Sequence, residues 1–374
     1  MGIDLKEAIS SLLERGIGAK AFPGAVAAVL LGDEVTVAAA GDAQVFPVKR
    51  EMATSTPFDL ASLTKVIVTT TLLMKSVERG LIDLWDPVSD YVDFAGQARV
   101  INLANHSSGL PAWVNLQSFG NVEAAAKFIA GIRGFEPGQE ELYSDLGFIL
   151  LGYIIERVNG KGLRQLAQEE IFDPLNMRGS CFSPCEGAAS TEVVDGKAIT
   201  GVVHDENARA LGGVCGHAGA FSTAADLAAF ASALLRGRLL SKSSIEVMTD
   251  KANAVKGGNH AVGWQVITEK VPPWAGSLLS GRAFGHTGFT GTSIWIDPEM
   301  DAAGILLTNA VHYGRGRDIN PYRRAFADIV ASARSSSRVR RSPFPRPSRA
   351  FPARPSPPRG NGRSGPLSRS PPSS

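Results

Sequence analysis

Ser62-Leu63-Thr64-Lys65 places a hydroxyl and an amine three residues apart, at the head of a run in which Val66, Ile67, Thr70, Leu73, Met74 and Val77 recur at helical spacing before Gly80. Three residues is close to one helical turn, so both side chains share a face. A serine hydroxyl is a weak nucleophile until a base takes its proton. A lysine shielded from water loses part of its preference for the charged form and can serve as that base. The free N–H groups of a helix start favour an oxyanion nearby. The stretch therefore reads as a nucleophile and its base on a helix spanning 62–79.

Working outward, strand signals lie near both ends of the chain. Residues 24–31 and 34–40 are apolar runs around Gly32-Asp33, read as two strands joined by a tight turn. Residues 261–268, 291–297 and 303–308 are strand-like. Helical patterns cover 4–15, 122–132, 145–158, 226–235 and 318–333. Strands at both ends with helices between predict a mixed α/β (α+β) fold: an antiparallel sheet flanked by helices, with a mostly helical domain inserted. The expected division is 1–80 with 220–333 for the α/β domain and 81–219 for the helical one. Residues 334–374 hold ten Arg, ten Pro and eleven Ser with no acidic residue, and read as a disordered tail.

Charge and cysteine content narrow the function. The net charge is +2 over 374 residues, and removing the ten tail arginines leaves −8 for residues 1–333. A mildly acidic body gives no electrostatic support for nucleic-acid binding. No apolar run reaches membrane-spanning length, and the polar start lacks an export signal. The reading is a cytoplasmic protein, a trimmed export signal being the open alternative. Cys181, Cys185 and Cys215 are too few for a disulfide framework, and their spacing with His204 and His217 matches no common zinc pattern. No metal or cofactor is expected.

Three further motifs carry chemistry or support it. Tyr143-Ser144-Asp145 precedes an apolar helix, and a tyrosine beside a lysine can relay protons. The plainer reading is a packed aromatic with Asp145 as helix cap. His286-Thr287-Gly288-Phe289-Thr290-Gly291 lets a backbone edge approach a ligand closely and offers N–H groups as an oxyanion hole. His106-Ser107-Ser108-Gly109-Leu110-Pro111 lacks the Gly-x-Ser-x-Gly elbow and reads as a structural loop under the site.

In order and spacing, Ser62–Lys65, Tyr143–Asp145 and His286–Gly288 resemble the motifs of the serine β-lactamase and penicillin-binding-protein superfamily, and most of all its class C β-lactamase-like esterase branch (family VIII-type carboxylesterases). Gly24-Ala25-Val26, Asn105–Pro111 and Gly216-His217-Ala218-Gly219 look like stretches of the same branch. The resemblance runs from about Phe22 to Asn309 and implies a β-lactamase/transpeptidase-like fold. It implies that Ser62 is acylated, that Lys65 is its base, and that Tyr143 moves protons to the leaving group and from the deacylating water. The N–H groups of Ser62 and Phe289 would hold the oxyanion. His286 would line the pocket with Gly288 and hydrogen-bond near Tyr143.

Two positions depart from the pattern. Asp145 stands where β-lactamases carry Asn, and a carboxylate donates a hydrogen bond only when protonated. His286 stands where they carry Lys, and a neutral histidine attracts a substrate carboxylate far less. Both favour neutral esters over anionic peptide-like substrates. The expected activity is hydrolysis of short-chain carboxylic esters through an acyl-serine, with a small-molecule ester as partner. The competing readings are a β-lactamase, a D-alanyl peptidase or amidase, and a non-catalytic sensor or binding protein. Oligomeric state is not legible.

Overall fold

The computed structural model describes residues 4–340. Its centre is a seven-stranded antiparallel sheet in the order Arg50–Glu51, Glu34–Gln44, Gly24–Leu31, Ala302–Thr308, Thr292–Asp297, Phe284–Thr287, Gln265–Val266. The N-terminal strand pairs directly with the C-terminal one, Ala25 opposite Thr308 and Leu31 opposite Ala302. Both ends of the chain thus build one sheet, as the strand pattern predicts.

The unbroken apolar run Gly24–Leu31 is explained by what covers each face. Side chains alternate across a strand. Val26, Ala28 and Leu30 enter one core, with Leu63, Val66 and Ile67 and the apolar helix Asp145–Asn159. Ala25, Ala27 and Val29 enter a second core on the opposite face, with Ile9, Leu12 and Leu13 of helix Leu5–Gly18 and Phe326 and Val330 of helix Asn320–Arg340. Strand Thr292–Asp297, the next but one in the sheet, divides likewise, with Trp295 on the second face and Ile294 and Ile296 on the first. A sheet buried on both faces needs apolar residues at every position, not at alternate ones.

The structure revises several local expectations. The run 261–268 yields only Gln265–Val266 as strand. Gly263 has φ +79 and a Cβ there would lie 2.0 Å from Thr70 Oγ1, so the backbone turns where the pattern suggested extension. The segment after Ser62 is not a uniform α-helix: Lys65–Thr70 winds as a π-helix before the α-helix Thr71–Glu78, and the Thr71 hydroxyl donates to Val66 O at 3.2 Å. Ser144, not Asp145, caps helix Asp145–Asn159 by accepting from Gly147 N. Phe284–Thr287 and helix Lys242–Thr249 add elements that the pattern missed. The last helix passes residue 333 and runs to Arg340, with Arg334 donating to Met300 O at 2.7 Å. The rest of the tail expectation, 341–374, lies outside the described residues. No helix among the described residues is long and apolar enough to cross a membrane.

Candidate active site

Ser62 sits at the end of a tightly held loop. The buried Asp59 carboxylate accepts from Ala61 N at 2.8 Å and from His204 N at 2.6 Å. Ala61 takes φ +46, a strained value for a residue with a Cβ. The loop is stitched to the sheet by Thr290 Oγ1 donating to Asp59 O and Thr292 Oγ1 donating to Leu60 O, at 2.8 and 3.1 Å. Gly288 is demanded by this stitching, since a Cβ there would meet Leu60 O at 2.5 Å and Thr292 Oγ1 at 2.1 Å.

Lys65 is wholly enclosed, at 0% side-chain exposure, and its ammonium is shared. Nζ donates to Ser62 Oγ at 2.8 Å and to His217 O at 3.3 Å, and lies 2.7 Å from Asp145 Oδ1. It also stands 5.0 Å from the centre of the Tyr143 ring, within hydrogen-bond reach of the phenol. Burial alone would discharge the lysine. The Asp145 carboxylate and Tyr143 outweigh it and hold the pKa above the ordinary lysine value. The expectation that enclosure frees Lys65 as a base is therefore reversed at rest. Asp145, which also lines the cavity, is the counter-ion of Lys65. The Tyr143 phenol is raised by burial and by Asp145, against the pull of Lys65. It also reaches Ser62.

Around these residues lies a cavity of about 520 Å³, lined by Ser62, Tyr143, Asp145, His286, Gly288 and Phe289 among others. All the expected site residues thus meet here, Lys65 just beneath the wall. Phe289 is 59% exposed, with its ring 5.7 Å from His204 and the Arg315 guanidinium over its face. His286 comes from strand Phe284–Thr287, opposite Ile294. Its Nδ1 donates to Thr287 O at 2.8 Å, and its ring centre stands 6.1 Å from that of Tyr143. The hydrogen bond expected between His286 and its Tyr143 surroundings is not formed, because the Thr287 carbonyl takes the Nδ1 proton. Burial, then His260 and Lys65, hold its pKa well below the ordinary histidine value, so it is neutral, as expected.

Sequence reasoning missed several groups. His217 Nε2 lies 2.9 Å from Asp205 Oδ1, and both line the cavity. Burial disfavours the imidazolium, but Asp205 overrides it and pushes the pKa up to about 10. Asp205 also accepts from Ala208 N, capping helix Glu206–Ala210, so one carboxylate holds the loop and shapes the pocket at once. Beneath Tyr143, Glu141 accepts from Asn259 N and His260 N, both at 2.8 Å. Arg315, Arg317 and Arg323 form a cationic wall. Arg315 is paired with Glu192 and Glu206, whereas the hydrogen bonds of Arg323 go to Asn320 Oδ1, Gly288 O and Thr292 O. Nothing in the spacing of these residues predicts their meeting. No cluster among the described residues has a metal-holding arrangement of His, Cys, Asp and Glu.

A Beta-lactamase family model matches residues 9–329. The chain belongs to the Beta-lactamase family. It is 31% identical over 361 residues to the N-acetylmuramyl-L-alanine amidase of Bacillus subtilis (strain 168), covering 81% of this chain and 80% of the relative. Among solved structures it is similar to EstCE1, a hydrolase with promiscuous acyltransferase activity (TM-score 0.72, 21% identity, 87% of this chain and 98% of that one). It is also similar to the class C β-lactamase from Rhodobacter sphaeroides (TM-score 0.67, 20% identity, 89% and 99%). At these identities the two structures speak for the fold, the antiparallel sheet with its helices. The family places the chain among serine hydrolases.

Proposed function

We propose that this chain hydrolyses carboxylic esters with short acyl chains through an acyl-serine intermediate. The observation that carries the reading is the Ser62 hydroxyl on the cavity wall, 2.8 Å from an enclosed Lys65. Lys65 is an ammonium at rest, so the base is Lys65 acting together with Asp145 and Tyr143. A proton moving from Lys65 to Asp145 leaves an amine that takes the Ser62 proton as Oγ attacks the ester carbonyl. Tyr143, whose ring centre lies 5.0 Å from Lys65 Nζ, passes that proton to the leaving alkoxide. Water then attacks the acyl-serine with its proton taken by the same unit, and the acid is released. The backbone N–H groups of Ser62 and Phe289, both on the cavity wall, would hold the developing oxyanion. Neutral His286 adds no positive charge of its own beside them.

A second reading, an amide hydrolase for substrates bearing a carboxylate, is favoured by one observation. Arg317 is exposed on the cavity wall and its hydrogen bond is to the Tyr313 carbonyl, not to an acid. The amidase relative is consistent with that reading.

Initial rates on p-nitrophenyl butyrate and nitrocefin, with wild type and Ser62→Ala side by side, separate the two. Fast ester cleavage with slow nitrocefin turnover, both abolished in the variant, is expected. Nitrocefin turnover equal to or faster than ester cleavage overturns the ester reading. Ester hydrolysis surviving in Ser62→Ala removes the nucleophile assignment altogether.

A further inference from the structure

We propose that His106 is a positioning residue for Tyr143, holding the phenol where Ser62 and Lys65 can exchange protons with it. The inference rests on the serine-hydrolase reading of the site. It assigns a task to a loop that the sequence offers only as packing.

The chain on both sides of Tyr143 is fastened to this one residue. The His106 carbonyl accepts from Leu142 N at 2.9 Å, and its ring Nδ1 accepts from Ser144 N at 3.0 Å. The imidazole then lies against the tyrosine ring itself, centres 4.3 Å apart and planes at 32°. Because Nδ1 accepts from a backbone N–H, its lone pair is committed and the ring proton belongs on Nε2. The neutral form follows from burial, reinforced by His260, Lys65 and His286. A charged ring at this place would repel the Lys65 ammonium.

The backbone makes the choice of residue informative. His106 has φ +60, in the left-handed region where glycine or asparagine sits more easily. Such a conformation is uncommon in a residue with a side chain and persists only where the surroundings hold it. The loop enforces it: Ser107 N donates to Asn102 O at 2.9 Å, Ser107 Oγ to Asn105 Oδ1 at 2.6 Å, and Gly138 N to Ser107 O at 2.8 Å. Glycine would relieve the strain but would offer neither the acceptor nor the ring. Histidine supplies both to Tyr143.

His106→Gly and His106→Asn test this, each compatible with the left-handed backbone. The readouts are melting temperature, kcat and KM on p-nitrophenyl butyrate, and the rate of Ser62 phosphonylation by a fluorophosphonate followed by intact mass. His106→Gly should lower kcat and phosphonylation about a hundredfold with KM changed by less than about threefold, the cost of a misplaced proton carrier. His106→Asn, which restores an acceptor for Ser144 N, should recover about tenfold of that loss. In a Tyr143→Phe background both substitutions should have almost no further effect on kcat, which a merely structural role would not produce. A folded variant with kcat within about twofold of wild type, a loss expressed only in KM, or full additivity with Tyr143→Phe overturns the proposal. Should His106→Gly not fold, His106→Asn decides on the same criteria. Failure of the ester reading shows separately, as wild type that ignores the ester yet is phosphonylated at Ser62, and the His106 effect is then read from that rate.

Discussion

Two sides of the active-site cavity hold buried imidazoles in opposite charge states. On one side His217 stands 2.9 Å from a carboxylate and is pushed up to about 10. On the other, His286 and His106 meet a backbone carbonyl and a backbone N–H, and both fall well below the ordinary histidine value. All three are buried. Burial alone therefore does not set the charge; what matters is whether a carboxylate outweighs it, as Asp205 does at His217 and Glu141, 3.1 Å from His260 Nδ1, does not, since the His260 pKa stays lowered. The same rule separates Lys65, held as an ammonium by Asp145, from the free-base lysine that enclosure alone would give.

The largest break in this contrast comes from Asp145. Replacing Asp145 by Ala leaves a Lys65 charge with 0% exposure facing no counter-ion. Removing one member of a buried pair costs on the order of 3 kcal/mol, read from the urea midpoint with an unchanged m-value. Asp145→Asn keeps the shape and removes the charge, which lowers the Lys65 pKa. The limb of kcat/KM that rises with pH should then move to lower pH. A limb that stays in place would mean that Asp145 does not hold the Lys65 proton.

Asp205→Asn turns the charged histidine side into a neutral one. In wild type the folded-state pKa of His217 is raised, so its contribution is fully present below about 6.5 and is lost as pH climbs through about 10. His106 and His286 act with the opposite sign. The unfolded chain takes up protons below about 6.5 that the native state refuses, so stability rises with pH there. Melting temperature should therefore decline on both sides of roughly pH 6.5–7. Asp205→Asn should flatten the alkaline decline, by a few degrees or more, and leave the His106 and His286 contribution on the acid side. Asp205 itself has a depressed pKa, so the variant also lacks the stability that wild type loses as pH falls below about 4. An alkaline decline that persists in the variant would show that His217 is not its source.

Local features of the site were legible and its electrostatics were not. Ser62, Lys65, Tyr143, His286 and Gly288 stand in short motifs whose order and spacing survive in one dimension, and they do line or underlie one cavity. The sheet was legible because Gly24–Leu31 and 303–307 are apolar throughout. Asp145 was visible as a residue but not as a partner, since Lys65 lies eighty positions away and only folding brings the two to 2.7 Å. Asp205 and His217 lie twelve positions apart, and no local periodicity joins them. Strand Phe284–Thr287 escaped because Gly285 within it reads as a turn, whereas Gly285 is required by Trp274, which a Cβ would meet at 2.9 Å.

His286→Lys makes the smallest expected change and tests the comparison from the neutral side. The strand would keep its register, since His286 contributes its backbone opposite Ile294 and its side chain bonds only its neighbouring carbonyl. The new ammonium would lie near Lys65 and Arg323, both of which already act on His286 as like charges. With no carboxylate supplied to it, it should cost ~2 kcal/mol of stability and carry a lowered pKa. The added charge should raise the ratio of nitrocefin to p-nitrophenyl butyrate turnover by about tenfold, equivalent to roughly 1.4 kcal/mol of attraction for a substrate carboxylate. An unchanged ratio in a folded variant would place anion selection at Arg317 and Arg323. The neutral histidine would then matter for what it spares the proton relay, a second cation beside Tyr143, and not for the substrate it excludes.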